Sequence, residues 1–302
     1  MLKLVIVGMV ATIAVASDYT HPVNQNMVDQ IKAKATTWYP AEVHENPLSK
    51  MKAKKLMGLL GTHIAPPSPL FAQSKTFVNT PESFDSRTAW PNCIHPIRNQ
   101  QSCGSCWAFG ASEVLSDRFC IASNGNTNVV LSPEDMVACD RADLACQGGW
   151  LDKAWSYLAT TGIVSDSCFP YVSGGGSVPT CPNTCQGSDE AFKKFKCAAN
   201  SVSVQVNPDQ IKAELITNGP VETGFMVYQD FFNYKGGIYQ YTSGGLAGGH
   251  AVKIVGYGVE NGINYWICAN SWDTTWGENG FFRIKMGECG IDQATYACLP
   301  QL

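Results

Sequence analysis

The chain has 302 residues, of which 45% are hydrophobic and 15% charged. That is enough apolar material for one large or two modest packed cores, and too much for a disordered chain. A formal net charge of −4, with no Lys/Arg cluster, excludes the basic field that nucleic-acid binding requires.

From the N-terminus, MLKLVIVGMVATIAVA carries one lysine, an apolar run from Leu4 to Ala16, and Ala14 and Ala16 at the A-x-A spacing of a signal-peptidase site. Residues 1–16 are expected to be a signal peptide. The alternative, a membrane anchor, needs about 20 apolar residues, whereas polar sequence begins at Ser17. The processed chain is therefore expected to carry no anchor. Residues 17–76 contain no cysteine and hold three of the five histidines, with seven Lys/Arg against four Asp/Glu; from Phe77 onward the count is thirteen against twenty-one. A basic leader thus precedes an acidic, cysteine-rich body, the pattern of a pro-segment lying on its own enzyme. APPSPLFAQSKT, residues 65–76, has the Pro/Ser content of an exposed, protease-sensitive linker.

Residues 105 to about 160 read mainly as helix. Trp107, Ala111, Val114, Leu115, Phe119 and Ala122 form one stripe at helical spacing, Ser105 offers an N-cap, and Gly125 a stop. Cys106 then sits in the first turn, where unpaired N–H groups and the helix dipole favour a thiolate. Thirteen cysteines in a chain bound for an oxidising compartment imply disulfides, and an odd count leaves at least one thiol unpaired. On this evidence Cys106 could still be structural. Zinc is the competing use for clustered cysteines, with Cys181 and Cys185 the best candidates, but no nearby histidine completes a site. From about residue 195, runs such as NSVSVQV, HAVKIVGYGV, NYWICAN and GFFRIKM alternate with glycine-rich turns and read as strands. A helical half followed by a β half predicts an α+β fold of two lobes with a cleft between them.

A thiolate nucleophile needs a proton acceptor and donor. Outside the leader only His95 and His250 are available. His95 lies in the loop CIHPIRNQ without an evident partner and is read as a solvated side chain. His250 follows two glycines at the start of a strand, where its ring can face an open cleft. Asn270, in ANSWDTTWGENGFF, could accept from its imidazole and fix the ring, with Trp272 and Trp276 screening that bond from water.

CGSCW at 103–107, GGHAV at 248–252 and ANSWDTTWGENGFF at 269–282 resemble the papain-like cysteine proteases. The short leader with TTW at 36–38 and LMGLLG at 56–61, SFDSRTAW at 83–90, NGPVETGFMVYQDF at 218–231 and CGID at 289–292 resemble the cathepsin B branch in particular. The resemblance implies a papain-like fold over 77–302, with a helical lobe at about 90–190 and a β lobe at about 191–290. It also implies a cysteine endopeptidase made as a zymogen, needing no cofactor or metal. Cys106 would be the nucleophile, His250 its base and acid, and Asn270 the residue orienting His250. The side chain of Gln100 and the backbone N–H of Cys106 would form the oxyanion hole, and a Cys106/His250 ion pair would lower the thiol pKa. Substrate would pair with Gly149 beside Gly148 and run past Trp272, with Leu151, Gly224, Ala251 and Ala294 around the P2 side chain.

Two departures from the family pattern are Gln101 and Asp273, each in place of a glycine, although the cathepsin B branch also lacks the second. Family analogy pairs Cys93 with Cys120, Cys103 with Cys146, Cys139 with Cys181, and Cys168 with Cys185. A Cys197–Cys298 bridge is a further expectation, with Cys268 and Cys289 unassigned. The expected partners are peptide substrates and the chain's own leader, with a monomeric enzyme destined for a lysosome, a vacuole or the exterior. An inactive disulfide-rich binding protein on the same fold would lack one of Cys106, His250, Asn270 or Gln100; all four are present. A transglutaminase-like acyl transferase would need an Asp as third partner.

Overall fold

A computed structural model describes residues 21–73 and 78–302; the expected signal peptide lies outside them. The leader supplies α1 (Gln25–Lys34), β1 (Trp38–Pro40), α2 (Ala53–Met57) and β2 (Ala72–Gln73). Asn24 caps α1 by accepting from the Met27 N–H at 2.9 Å. Then come β3 (Phe84–Asp85), α3 (Ser86–Ala89), α4 (Cys106–Ala122), α5 (Pro133–Cys139) and α6 (Leu151–Thr160). The remainder is β4 (Ser203–Gln205), α7 (Pro208–Asn218), β5 (Val221–Tyr228), β6 (Tyr234–Tyr239), β7 (Leu246–Glu260), β8 (Ile263–Ala269), β9 (Phe281–Lys285) and β10 (Thr295–Ala297).

The strands form one ten-stranded sheet in the order β1-β6-β9-β8-β7-β5-β10-β4-β2, with β3 on β7. The leader provides both outermost strands, so its two ends clamp the edges of the body's sheet, where unpaired backbone would otherwise face water. Two cores match the two expected lobes. One is built from α4, α5 and α6 around Trp107, Met136, Trp155 and Leu158. The other gathers Phe225, Tyr239, Trp266 and Phe282 of the sheet and Phe231 of the turn between β5 and β6 with Ile31, Trp38, Leu48 and Leu56 of the leader. The lobes interlock, because Val204 and Tyr296 from the β half belong to the helical core.

The leader is held by this apolar contact. Among the described residues no ion pair crosses from leader to body, and its Lys32 bridges to Glu42 within the leader itself. The excess of leader lysines is therefore not what seats it on the acidic body.

Helix α4 differs from its expected one-sided stripe, since every residue from Cys106 to Cys120 is buried. It runs between the lobes, and its charged groups are paired rather than solvated. Asp117 accepts from Lys253 of β7 at 2.7 Å, and Arg118 pairs with Glu214 at 2.9 Å. Arg118 also donates to the Pro220, Gly219 and Cys298 carbonyls, so a buried guanidinium has partners throughout. His95 is corrected likewise. Its Nδ1 meets Asp117 at 2.7 Å and its Nε2 meets Asn128 at 2.9 Å. It pins the loop before α4 and is not a solvated side chain.

All five expected bridges are present, from Cys93–Cys120 to Cys197–Cys298. Cys181 and Cys185, weighed for zinc, are thus both bridged, and Cys106, Cys268 and Cys289 are the free thiols.

Candidate active site

Cys106 opens α4 at the floor of the cleft. The Cys103–Cys146 bridge ties the preceding loop to the short 3-10 turn Ala145–Gln147 of the helical lobe. Ser105 occupies the N-cap position but does not cap; its hydroxyl pairs with the Tyr171 hydroxyl at 2.9 Å. Tyr171 in turn donates to the Gln100 carbonyl at 2.8 Å, fixing the loop that carries Gln100.

His250 is fully buried in β7, with Phe225 of β5 as its register partner. Its Nε2 donates to Asn270 Oδ1 at 2.8 Å, and the Ser271 N–H bonds the same oxygen at 2.8 Å, which fixes the Asn270 amide. The ring lies 4.7 Å from that of Trp272, and Trp276 backs Trp272 at 5.0 Å. The Nδ1 of His250 has no hydrogen-bond partner of good geometry among the described residues. The backbone N–H of the adjacent Ala251 is directed at the Cys106 sulfur, so β7 carries the imidazole on the residue next to one that contacts the thiol. Ala251, the register partner of Gly224 on β5, thus presents its backbone to the Cys106 sulfur.

Across this pocket runs the leader. The N–H of Gly149 donates to the Gly61 carbonyl at 2.7 Å, and the His63 N–H to the Gly149 carbonyl at 2.9 Å. Thr62 N–H reaches the Gly249 carbonyl at 3.1 Å. The approach is close: a Cβ on Gly249 would stand 2.0 Å from the Thr62 oxygen, so only glycine fits there. The Thr62 hydroxyl pairs with Cys106 Sγ at 3.1 Å. Gln100 Nε2 donates to the Leu59 carbonyl at 3.0 Å and to the Cys103 carbonyl at 2.8 Å, while its Oε1 accepts from Ser271.

Burial under the leader sets the electrostatics. It pushes the Cys106 thiol up, only partly offset by the Thr62 hydroxyl and the Ala251 and Gly61 backbone. It pushes His250 down to about 4, against the opposing bond to Asn270 and the nearby Leu59 carbonyl. With the leader in place both groups are neutral, and the lowered thiol pKa expected of an ion pair is absent because neither charge would be solvated.

One pocket is lined by Leu151, Gly224 and Ala294, three of the residues read from the sequence as lying around a P2 side chain, together with Asp152, Gln293 and Tyr296. Leader residue Ile64 also lines it, its Cδ1 2.9 Å from where a Gly224 Cβ would be. Gln101 and Asp273, which replace family glycines, both have left-handed φ, 55° and 75°. Local bonds hold them there: Gln101 N–H donates to Asn99, and the Asp273 carboxylate accepts from Thr275 N–H and Asn99. The leader contacts were missed because Leu59, Thr62 and Ile64 carry no catalytic signature; their only signal is their place within and just after LMGLLG.

Residues 80–299 match the papain family cysteine proteases. The chain is 39% identical to cathepsin B-like cysteine proteinase 4 of Caenorhabditis elegans, covering 91% of this chain and 92% of that protein. It is 40% identical to cathepsin B-like cysteine proteinase 3 of the same nematode, covering 91% and 82%. The structure of procathepsin B S9 from Trypanosoma congolense superposes with a TM-score of 0.85 at 31% identity, over 93% of this chain and 99% of that one. Digestive procathepsin L2 from Tenebrio molitor larval midgut gives 0.70 at 27%, over 88% and 85%. A thiol at a helix start beside a buried His/Asn pair, beneath a leader strand, therefore sits in a chain that belongs to the papain family of cysteine proteases.

Proposed function

We propose that the chain is the zymogen of a cysteine endopeptidase in which Cys106 attacks the peptide carbonyl. His250, through Nδ1, takes the thiol proton and returns it to the leaving amine; Asn270 holds the ring. Gln100 Nε2 and the Cys106 N–H stabilise the oxyanion, a donor of this kind contributing about 3 to 4 kcal/mol. The carrying observation is the Leu59–Thr62 turn, which occupies the Gln100 donor with a carbonyl and the Cys106 sulfur with a hydroxyl. The leader so blocks the groups a substrate would meet. Of the four residues whose loss would mark an inactive relative, Cys106, Gln100 and His250 meet that segment and Asn270 stands behind His250, which disfavours the binding-protein reading.

The leader spans 17–76 and the protease 77–302. Residues 1–16 and five disulfides support entry into the secretory pathway, with a lysosomal, vacuolar or extracellular destination. No described helix is long and apolar enough to cross a membrane. Substrates are proteins cut internally, after a P1 residue preceded by an apolar P2. The test is a peptide-library scan with the processed enzyme and its Cys106→Ala variant. Cleavage by the variant at the wild-type rate would overturn the assignment.

A further inference from the structure

The loop between α5 and α6 carries two aspartates that no catalytic role uses. Asp140 follows the last residue of α5, and Asp143 lies behind the Gly148–Gly149–Trp150 strand; both are 6% exposed. Each spends one oxygen on the loop itself. Asp140 Oδ1 accepts from the Ala142 N–H at 2.8 Å, and Asp143 Oδ1 from the Trp150 N–H at 2.7 Å. The remaining oxygens, both Oδ2, are buried and reach no donor among the described residues, yet the two carboxyls stand within hydrogen-bonding range of each other. A proton between two buried acceptors that face one another satisfies both at once.

We propose that Asp140 and Asp143 share one proton, and that the pair is a positioning device for the substrate main chain. The Trp150 N–H and the Gly149 carbonyl belong to one peptide plane and point opposite ways. Asp143, by holding the N–H, turns the carbonyl into the cleft, where it meets the His63 N–H of the leader and, in the processed enzyme, a substrate N–H. The fit is tight: a Cβ on Gly149 would lie 2.9 Å from Asp143 Cγ.

The surroundings favour the protonated pair. Burial, then the neighbouring Asp140 charge, push Asp143 up to about 7, and burial raises Asp140. Glu222 of β5 adds a further buried carboxyl on the Asp143 side. Tyr157 of α6 is a neutral phenol near Asp140, and the leader presents His63, stacked on Trp150 at 4.2 Å. Arg141 sits between the two aspartates in sequence. Lys153 of α6 is the cation that opposes their charge; its Nζ donates to the Ala142 carbonyl at 3.2 Å and lies 3.5 Å over the Trp150 ring. The proton belongs to the pair rather than to one residue. Because the pKa is raised, the brace is intact at acid pH and is lost as pH rises through about 7. The charged carboxylates then repel each other and favour solvent over burial, the largest cause of the raised pKa, and this outweighs the pull of the Trp150 N–H on the charged form of Asp143.

This inference rests on the peptidase reading, which alkylation of Cys106 tests separately. Enzyme processed from the full-length chain is assayed for KM and kcat on a short fluorogenic peptide from about pH 5 to 8. Wild-type KM is expected to rise about five- to tenfold above pH 7, the range of one lost hydrogen bond. Asp143→Asn keeps the acceptor for Trp150 and donates an amide N–H to Asp140 that does not titrate, so its KM should stay level with pH. Asp143→Ala should raise KM about tenfold at every pH while kcat changes far less. A KM for Asp143→Asn that rises as in wild type overturns the proposal, as does a wild-type KM in Asp143→Ala. Should the alanine variant not fold, Asp140→Asn replaces it, with the same level profile expected. An inactive wild type with an unlabelled Cys106 would instead indict the peptidase reading.

Discussion

Thr62 Oγ1 of the leader lies 3.1 Å from Cys106 Sγ in a buried site, so with the leader in place the thiol is hydrogen-bonded and not one half of an ion pair. The neutral thiol is a poor nucleophile. Iodoacetamide at about pH 6 should leave Cys106 unmodified in the full-length chain and label it at least about a hundredfold faster after processing, when an imidazolium can stabilise the thiolate. Mass spectrometry of the labelled peptide reads the site. Equal rates before and after processing would contradict the neutral-pair description.

The hydroxyl itself contributes modestly. Thr62→Val in a separately expressed leader removes the bond but keeps the shape, and should weaken inhibition about fivefold. Since no described ion pair joins leader to body, raising salt from about 0.05 to 0.5 M should change that inhibition constant by less than about twofold. A large salt effect would restore the role of the leader lysines.

Dehydration of His250 makes a pH prediction whose sign depends on the thiol. In wild type, the closed thiol/imidazole pair and an open thiolate/imidazolium pair hold the same number of protons, so opening takes up none through this pair. In Cys106→Ser the open state has no such anion, and His250 regains an ordinary pKa near 6.5, against about 4 when covered. Leader binding to this variant should be strongest above about pH 6.5 and fall as pH drops toward 4, by about tenfold per unit. Calorimetric titration measures it; a pH-independent affinity over that window would show that the leader does not exclude the proton.

The local motifs made the site legible. Cys106, His250 and Asn270 each lie in a short stretch whose neighbours explain the side chain's presentation. Pairings across long separations were not legible. Nothing near Asp117 announces Lys253, 136 residues away, so α4 read as half-solvated when it is the axis between the lobes. The same holds for His95, which answers to Asp117 and Asn128. Helix α7 was legible and passed over: Asn207 caps it by accepting from Gln210, Pro208 begins it, and Gly219 ends it with φ 99°.

Taken as the P2 site, the pocket lined by Leu151, Gly224 and Ala294 predicts selectivity. Ala294 leaves its wall without a charge at that position, Leu151 and Gly224 are apolar, and Ile64 of the leader lies against them. A P2 arginine would meet one carboxylate there, Asp152, and a single ion pair does not repay the desolvation of a buried guanidinium. Leu-Arg and Val-Arg substrates should exceed Arg-Arg in kcat/KM. Ala294→Glu should narrow or invert that ratio, by about tenfold or more, through one charged pair. An unchanged ratio in the variant would place the P2 side chain elsewhere.

The interval between Cys168 and Cys181, FPYVSGGGSVPT, bears on where the enzyme cuts. In the cathepsin B branch a long insertion here, carrying two histidines, binds a substrate's C-terminal carboxylate; this segment has twelve residues and no histidine. Its centre folds down into a short 3-10 turn, Ser173–Gly175. Glu134 accepts from the Val172 and Ser173 N–H groups at 2.9 and 3.0 Å, and Ser102 N–H donates to the Gly174 carbonyl at 2.9 Å. A segment tied down to the helical lobe in this way neither spans the groove nor presents a cation to a carboxylate. His95, the remaining histidine of the body, is occupied by Asp117 and Asn128. Two peptides of one sequence, one with a free and one with an amidated C-terminus, should therefore be cut two residues from the end at similar rates, with longer chains cut efficiently within. A strong preference for the free carboxylate would require a cation that the described groove does not offer, and would reverse the endopeptidase assignment.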